Sequence, residues 1–196
     1  MSRIIARMSK VKVIALVGMP GSGKGTCTDY MSENYGWPVI HFGNMVYDEV
    51  QKRGLDNVKD EKFVREDMRA KEGPAVMAKR VAVKAKEYLA DGADVVVLDG
   101  LYSWSEFKHL HGVFSDSLLM LAVASPRHVR HERVVNRKDS HRQYTTEQIR
   151  ERDIEEIENL EKGGPIAYAN YTILNDSSLD DMLKKLNEIL GKENLI

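Results

Sequence analysis

The sequence predicts an α/β layered fold built on a parallel sheet. Five short apolar runs, at residues 11–17, 39–42, 95–98, 118–124 and 171–174, punctuate the chain. They are continuous rather than alternating, the pattern of strands buried on both faces. Helical segments lie between them, and strands alternating with helices assemble into layers with right-handed crossovers. With 196 residues, 42% of them hydrophobic, the chain can fill one sizeable core.

The helix boundaries are marked locally. Ser125-Pro126 reads as an N-cap followed by proline at the first helical position. Thr145 and Gln148 form a capping-box pair that opens another helix. Ser177-Ser178-Leu179 begins the last helix, whose Leu179, Leu183, Leu186 and Leu190 repeat until Gly191, read as its stop. Residues 1–9 read as a flexible lead-in, with Met8 a possible second start, and 10–196 as a single domain.

Composition excludes several classes. The 29 Lys and Arg residues nearly cancel 30 Asp and Glu, for a net charge of −1, so no global basic field exists to hold a nucleic acid. Cys27 is the single cysteine, which rules out a disulfide framework or a cysteine-rich zinc site and points to the reducing cytoplasm. No run of about 18 apolar residues suggests a membrane span. A soluble protein with a small-molecule partner is expected, its oligomeric state left open.

The first apolar run leads directly into Gly18-Met19-Pro20-Gly21-Ser22-Gly23-Lys24-Gly25-Thr26. Strand, glycine-rich loop and helix in succession make a phosphate-binding loop: glycines let successive N–H groups point into one concavity, and the helix adds its positive end. Gly18, Pro20, Gly21, Ser22, Gly23, Lys24, Gly25 and Thr26 are the candidate nucleotide-binding residues, with ATP the expected cofactor. Lys24 is expected to reach the β- and γ-phosphates. The general pattern places Ser or Thr directly after the lysine. Here Gly25 intervenes, so Thr26 is left to touch a phosphate or a metal-bound water. Cys27, inside the helix, reads as packing.

The run at 95–98 ends in Asp99-Gly100. A carboxylate at the carboxyl end of such a strand faces the ligand crevice and can hold Mg²⁺ directly or through water. The plainer alternative is an ordinary Asp-Gly turn.

Through the phosphate loop, Gly43-Asn44-Met45, Glu72-Gly73-Pro74, Val97-Leu98-Asp99-Gly100, Ala124-Ser125-Pro126 and Asn175-Asp176-Ser177-Ser178-Leu179, the chain resembles the P-loop nucleoside monophosphate kinase superfamily. The likeness runs from about Val11 to Leu190. It is nearest to dephospho-CoA kinase-like proteins, especially a largely archaeal adenylate kinase-related group. The resemblance implies a three-layer P-loop NTPase fold with a five-stranded parallel sheet, an ATP site, an acceptor site and a small helical lid at about 127–152. In this family Gly-Asp-x-x-Arg is usual where Gly43-Asn44-Met45-Val46-Tyr47 stands, and an arginine follows Asp-Gly where this chain has Leu101-Tyr102. Two phosphate-gripping arginines are thereby lost. An amide at Asn44 cannot serve as a base. Asn44, Tyr47, Arg69 and Tyr102 are the candidate acceptor-binding residues. Tyr47, Tyr102, Trp104 and Phe42 read either as a stacking pocket or as core. Arg65, Arg69 and Arg80 read either as a replacement phosphate grip or as a solvated face.

Arg130, Arg133 and Arg137 fall at i, i+3 and i+7, and so on one helix face. A polar stretch at 138–144 follows, then Arg150 and Arg152. Arginines on such a lid can close over ATP, with Arg133 and Arg137 the catalytic candidates alongside Lys24 and Asp99. The acidic run 151–161 reads as a solvated face. The loop at Asn175 lies by the adenine in related kinases, or simply caps the final helix. Together these readings predict a kinase that moves the γ-phosphoryl group of ATP to a nucleotide-like or CoA-precursor-like metabolite. The rivals are an adenylate-type kinase using Arg65, Arg69 or Arg80, and an ATP-binding regulatory module with a decayed acceptor pocket.

Overall fold

A computed structural model describes residues 10–57, 59–137 and 144–196. The expected lead-in over 1–9 and all but the last residue of the expected polar stretch lie outside them. Five strands, β1 (Val13–Val17), β2 (Val39–His41), β3 (Val96–Asp99), β4 (Leu118–Ala124) and β5 (Tyr171–Leu174), form one sheet in the order β2-β3-β1-β4-β5. Every neighbouring pair is parallel. The order reverses at β1, with lower and higher strands on opposite sides, which places a ligand crevice at the strands' carboxyl ends.

The continuous apolar runs are explained by burial on both faces. Val13, Ala15 and Val17 enter one core with Val81, Phe107 and Leu110, from α4 (Val76–Ala90) and α5 (Trp104–Phe114). Ile14 and Leu16 enter the other, against Cys27 and Met31 of α1 (Lys24–Tyr35) and Met182 and Leu186 of α9 (Leu179–Lys192). These are the three layers. The remaining helices are α2 (Phe42–Lys52), α3 (Glu61–Glu72), α6 (Arg127–Val135), α7 (Thr146–Glu158) and α8 (Gly163–Ala167). Among the described residues no helix is long and apolar enough to cross a membrane.

Several boundaries follow the sequence and others shift. Thr145 caps α7 as expected: its hydroxyl accepts the Gln148 N–H at 3.2 Å, and the Gln148 side chain accepts the Thr145 N–H at 2.9 Å. Ser178 caps α9 by accepting the Asp181 N–H. Pro126, rather than Ser125, is the N-cap of α6, which begins at Arg127. α9 continues through Gly191 to Lys192, because Leu186, Ile189 and Leu190 remain buried and hold its last turn to the sheet. Phe42 opens α2 instead of ending β2 and is buried in the core, so the stacking role is closed to it.

Candidate active site

The loop after β1 is shaped by contacts from distant segments. Gly21 has φ +77°, and a Cβ there would stand 2.5 Å from the Arg130 carbonyl oxygen. Gly23, at φ +105°, would drive a Cβ into the Asn175 side-chain amide. Both positions therefore require glycine twice over, for left-handed backbone and for space. Gly23→Ala should lower stability by at least about 1–2 kcal/mol from backbone strain alone, measured as a drop in thermal midpoint; an unchanged midpoint would contradict the close approach.

Within the loop, Lys24 Nζ donates to the carbonyls of Gly18, at 2.7 Å, and Met19, at 3.2 Å. Burial, with help from the neighbouring Lys162 ammonium, pushes the Lys24 pKa down to about 7, against the opposing pull of Asp99 and Glu156. Ser22 Oγ is buried without a hydrogen-bond partner. Thr26 is exposed on the first turn of α1, while Cys27 is buried as packing.

Asp99 ends β3 in register with Leu16 of β1 on one side and His41 of β2 on the other. Its Oδ2 lies 3.1 Å from His41 Nδ1. That hydrogen bond raises the His41 pKa in spite of burial. His41 had no signal in the sequence beyond its place within the apolar run 39–42. One partly exposed carboxylate beside a polyphosphate loop, with the Thr26 hydroxyl nearby in sequence, suits Mg²⁺, which keeps most of its ligands as water and phosphate oxygens. Among the described residues no group of three or more His, Cys, Asp or Glu side chains is arranged to hold a metal unaided.

On the acceptor side, Asn44 and Tyr47 lie exposed on α2. Tyr102 lies against Gly100, where a Cβ would come 3.3 Å from the ring. The Lys162 ammonium sits over that ring, 4.5 Å from its centroid. Trp104 stacks on Phe107 and meets Tyr168 edge-on, an arrangement of packing rather than an open stacking platform. Of the three arginines proposed as a phosphate grip, Arg65 is paired with Glu61, and Arg80 with Glu49 and Glu72. Arg69 points inward, its Nη2 3.7 Å from Glu106 Oε1. Glu106 is fully buried. Its Oε2 accepts the N–H groups of Tyr102 and Ser103, whereas Oε1 has no hydrogen-bond partner. Ser103 and Glu106 form a capping box whose Ser-x-x-Glu spacing is present in the sequence.

The lid arginines do not act as one face. Arg130 is buried: it forks onto Asp153 at 3.1 and 2.8 Å and donates to the Pro20 carbonyl at 3.0 Å. It braces the phosphate loop and ties α6 to α7. Burial alone would raise the Asp153 carboxyl, but hydrogen bonds from Arg130 and His131 outweigh it and hold the group below the ordinary range. Arg133 and Arg137 are exposed, with Arg133 3.3 Å from Ser125 Oγ and 3.4 Å from Asn175 Oδ1. Asn175 is a strut: its Nδ2 donates to the Ser22 carbonyl at 2.8 Å and its backbone N–H to Ala124 at 2.7 Å. That N–H is therefore not free to read a base. The acidic run is not wholly solvated either, since Asp153 and Glu156 are both buried in ion pairs. Glu156 bridges Arg152 Nε, at 3.0 Å, and the Lys162 ammonium.

A parallel sheet in this order, with a glycine-rich loop closing on a lysine after its central strand, defines a P-loop kinase-like fold. Residues 17–161 match the AAA domain family. The chain belongs to the UPF0200 family: it is 34% identical to the UPF0200 protein of Pyrococcus abyssi, over 92% of this chain and 96% of that one. It is also 36% identical to the UPF0200/UPF0201 protein of Archaeoglobus fulgidus, covering 93% of this chain but only 56% of that longer one. Among solved structures it is similar in fold to TT1252 from Thermus thermophilus, with a TM-score of 0.67, 21% identity and coverage of 93% and 97%. A shikimate kinase from Bacteroides thetaiotaomicron shares the fold at TM-score 0.57 and 13% identity, covering 94% and 99% of the two chains.

Proposed function

We propose that this protein is an ATP- and Mg²⁺-dependent phosphotransferase acting on a small metabolite. The observation that carries the reading is the Lys24 ammonium at the centre of the glycine loop, with the Asp99 carboxylate on the adjacent strand. Phosphoryl transfer depends mainly on positioning and charge stabilisation. The loop N–H groups and Lys24 would hold the β- and γ-phosphates, Asp99 would orient the metal or its water, and Arg133 and Arg137 would approach from the lid. Bound Mg²⁺ would offset the charge gathering on the transferred group.

For the acceptor we favour a dephospho-CoA-like or other nucleotide-like metabolite over a nucleoside monophosphate gripped in the usual way. Support comes from the two ion-paired arginines, Arg65 and Arg80, and from Tyr47 and Tyr102 standing where arginines are usual. Incubation with γ-labelled ATP and an acceptor panel tests this. Label on dephospho-CoA is the expected result; label on a nucleoside monophosphate favours the adenylate-type reading. Label released only as free phosphate overturns phosphotransfer.

Two further outcomes follow. Because Lys24 titrates near pH 7 in the free protein, a polyanion in the loop raises its pKa and draws a proton from solvent. Triphosphate affinity should therefore fall as pH rises from about 7 to 9, by up to tenfold per unit, with proton uptake visible by calorimetry in two buffers. Arg137→Ala should slow transfer more than it weakens ATP binding, read from single-turnover rates against the dissociation constant. Equal loss in both would make the residue a simple binding group.

A further inference from the structure

Lys162 is the least expected group in the molecule. It lies between α7 and α8, is 1% exposed, and no motif announces it. A lysine is almost never fully buried unless paired. Its partner Glu156 is already shared with Arg152. Around Tyr102 and the end of β3, among the described residues, Lys24, Lys162, Arg152 and Arg69 lie near Asp99, Glu156 and Glu106. One of these, Glu106, gives its Oε2 to the backbone N–H groups of Tyr102 and Ser103 at the α5 capping box. Two cations, Lys162 and Arg152, thus share the one Glu156 carboxylate in a poorly solvated place. Such sharing is costly unless a further anion completes it.

We propose that Lys162 is the acceptor-side cation of this site, and that the acceptor presents an anionic group, phosphate or carboxylate, which takes the ammonium over from Glu156. The chemistry rests on the phosphotransferase reading; the anion site itself does not. Lys162 approaches from the lid side and Lys24 from the loop, so an anion between them would relieve their mutual repulsion. Tyr102 supplies an aromatic face under the ammonium, which fixes its position without competing as an acceptor. Arg69, 3.7 Å from Glu106 Oε1, is a further cation beside Tyr102.

The probe is inorganic phosphate, titrated by calorimetry at pH 6 into the full chain, free and saturated with Mg·ADP. Lys162→Met is expected to weaken phosphate binding at least tenfold while leaving Mg·ADP affinity within about threefold, and Lys162→Arg should restore most of the loss. Glu156→Gln removes the competing carboxylate and should tighten phosphate several-fold. A merely structural ion pair would instead give Glu156→Gln lower stability with unchanged phosphate affinity. Phosphate binding unchanged in Lys162→Met overturns the proposal. If Lys162→Met does not fold, Glu156→Gln decides alone: no tightening overturns it. Should wild type bind phosphate in a Lys162-dependent way but no Mg·ADP, the nucleotide reading falls and the anion site stands. Mg·ADP binding with no phosphate binding by either form leaves the nucleotide reading and overturns the anion site.

Discussion

Lys24→Ala should lower γ-phosphoryl release or transfer by roughly 10²–10³-fold, the loss seen when one preorganised charge is removed from a transition state. Its ammonium now satisfies the Gly18 and Met19 carbonyls, and a bound triphosphate would compete for that charge. The fold should survive, because the native state already holds this ammonium at an energetic disadvantage: burial has pushed its pKa far below the unfolded value. A thermal melt is therefore expected to stay level or rise slightly. An unchanged single-turnover rate with γ-labelled ATP would remove the proposed phosphate site altogether.

Arg130→Met should be the most damaging substitution for stability, costing about 3 kcal/mol, because it takes the bidentate partner from the buried Asp153 carboxylate and leaves it His131 alone. The Pro20 carbonyl would lose its donor in the same step, so nucleotide affinity should fall together with the thermal midpoint. Asp153→Asn with Arg130→Met should recover part of the stability, since the poorly compensated charge is gone. The linkage has a definite sign. Asp153 is held below its unfolded pKa, so its contribution is present above the ordinary carboxylate range and is lost as pH falls through the folded value. Acid unfolding of wild type should lean on this pair, and the double variant should show a weaker dependence on pH below about 4. A single Arg130→Met variant within about 0.5 kcal/mol of wild type would show that the pair bears little weight.

Much of the fold was legible because two-sided burial leaves a continuous apolar signature. Residues 13–17 and 118–124 could be read without knowing their neighbours. The phosphate loop was legible because backbone geometry demands glycine at fixed places and Lys24 stands in line with them. Strand-end chemistry was half visible. Asp99 announced itself beside glycine, whereas His41 gained meaning only from its register opposite Asp99. The lid was legible as helices, but not which of its arginines is a buried brace. Spacing put Arg130 with Arg133 and Arg137, yet spacing carries no information about which arginine meets a buried carboxylate 23 residues away. Lys162 and Glu156 were hidden for the same reason: an acidic helix looks solvated until its partners are known. The aromatic residues divided by packing. Phe42 joined the core, while Trp104 and Tyr102 pack against it, Tyr102 under a lysine.

The braces on the glycine loop have a consequence for the order of events when the chain folds. The Pro20 carbonyl waits for a donor 110 residues on, and the Ser22 carbonyl for one 153 residues on. Until β4, α6 and the turn after β5 have docked, the earliest motif in the chain lacks the scaffolding that shapes it. On a ribosome, then, this protein would emerge with its signature already made and its grip among the last features to set, and any shortened product ending before residue 175 would carry the motif without the grasp.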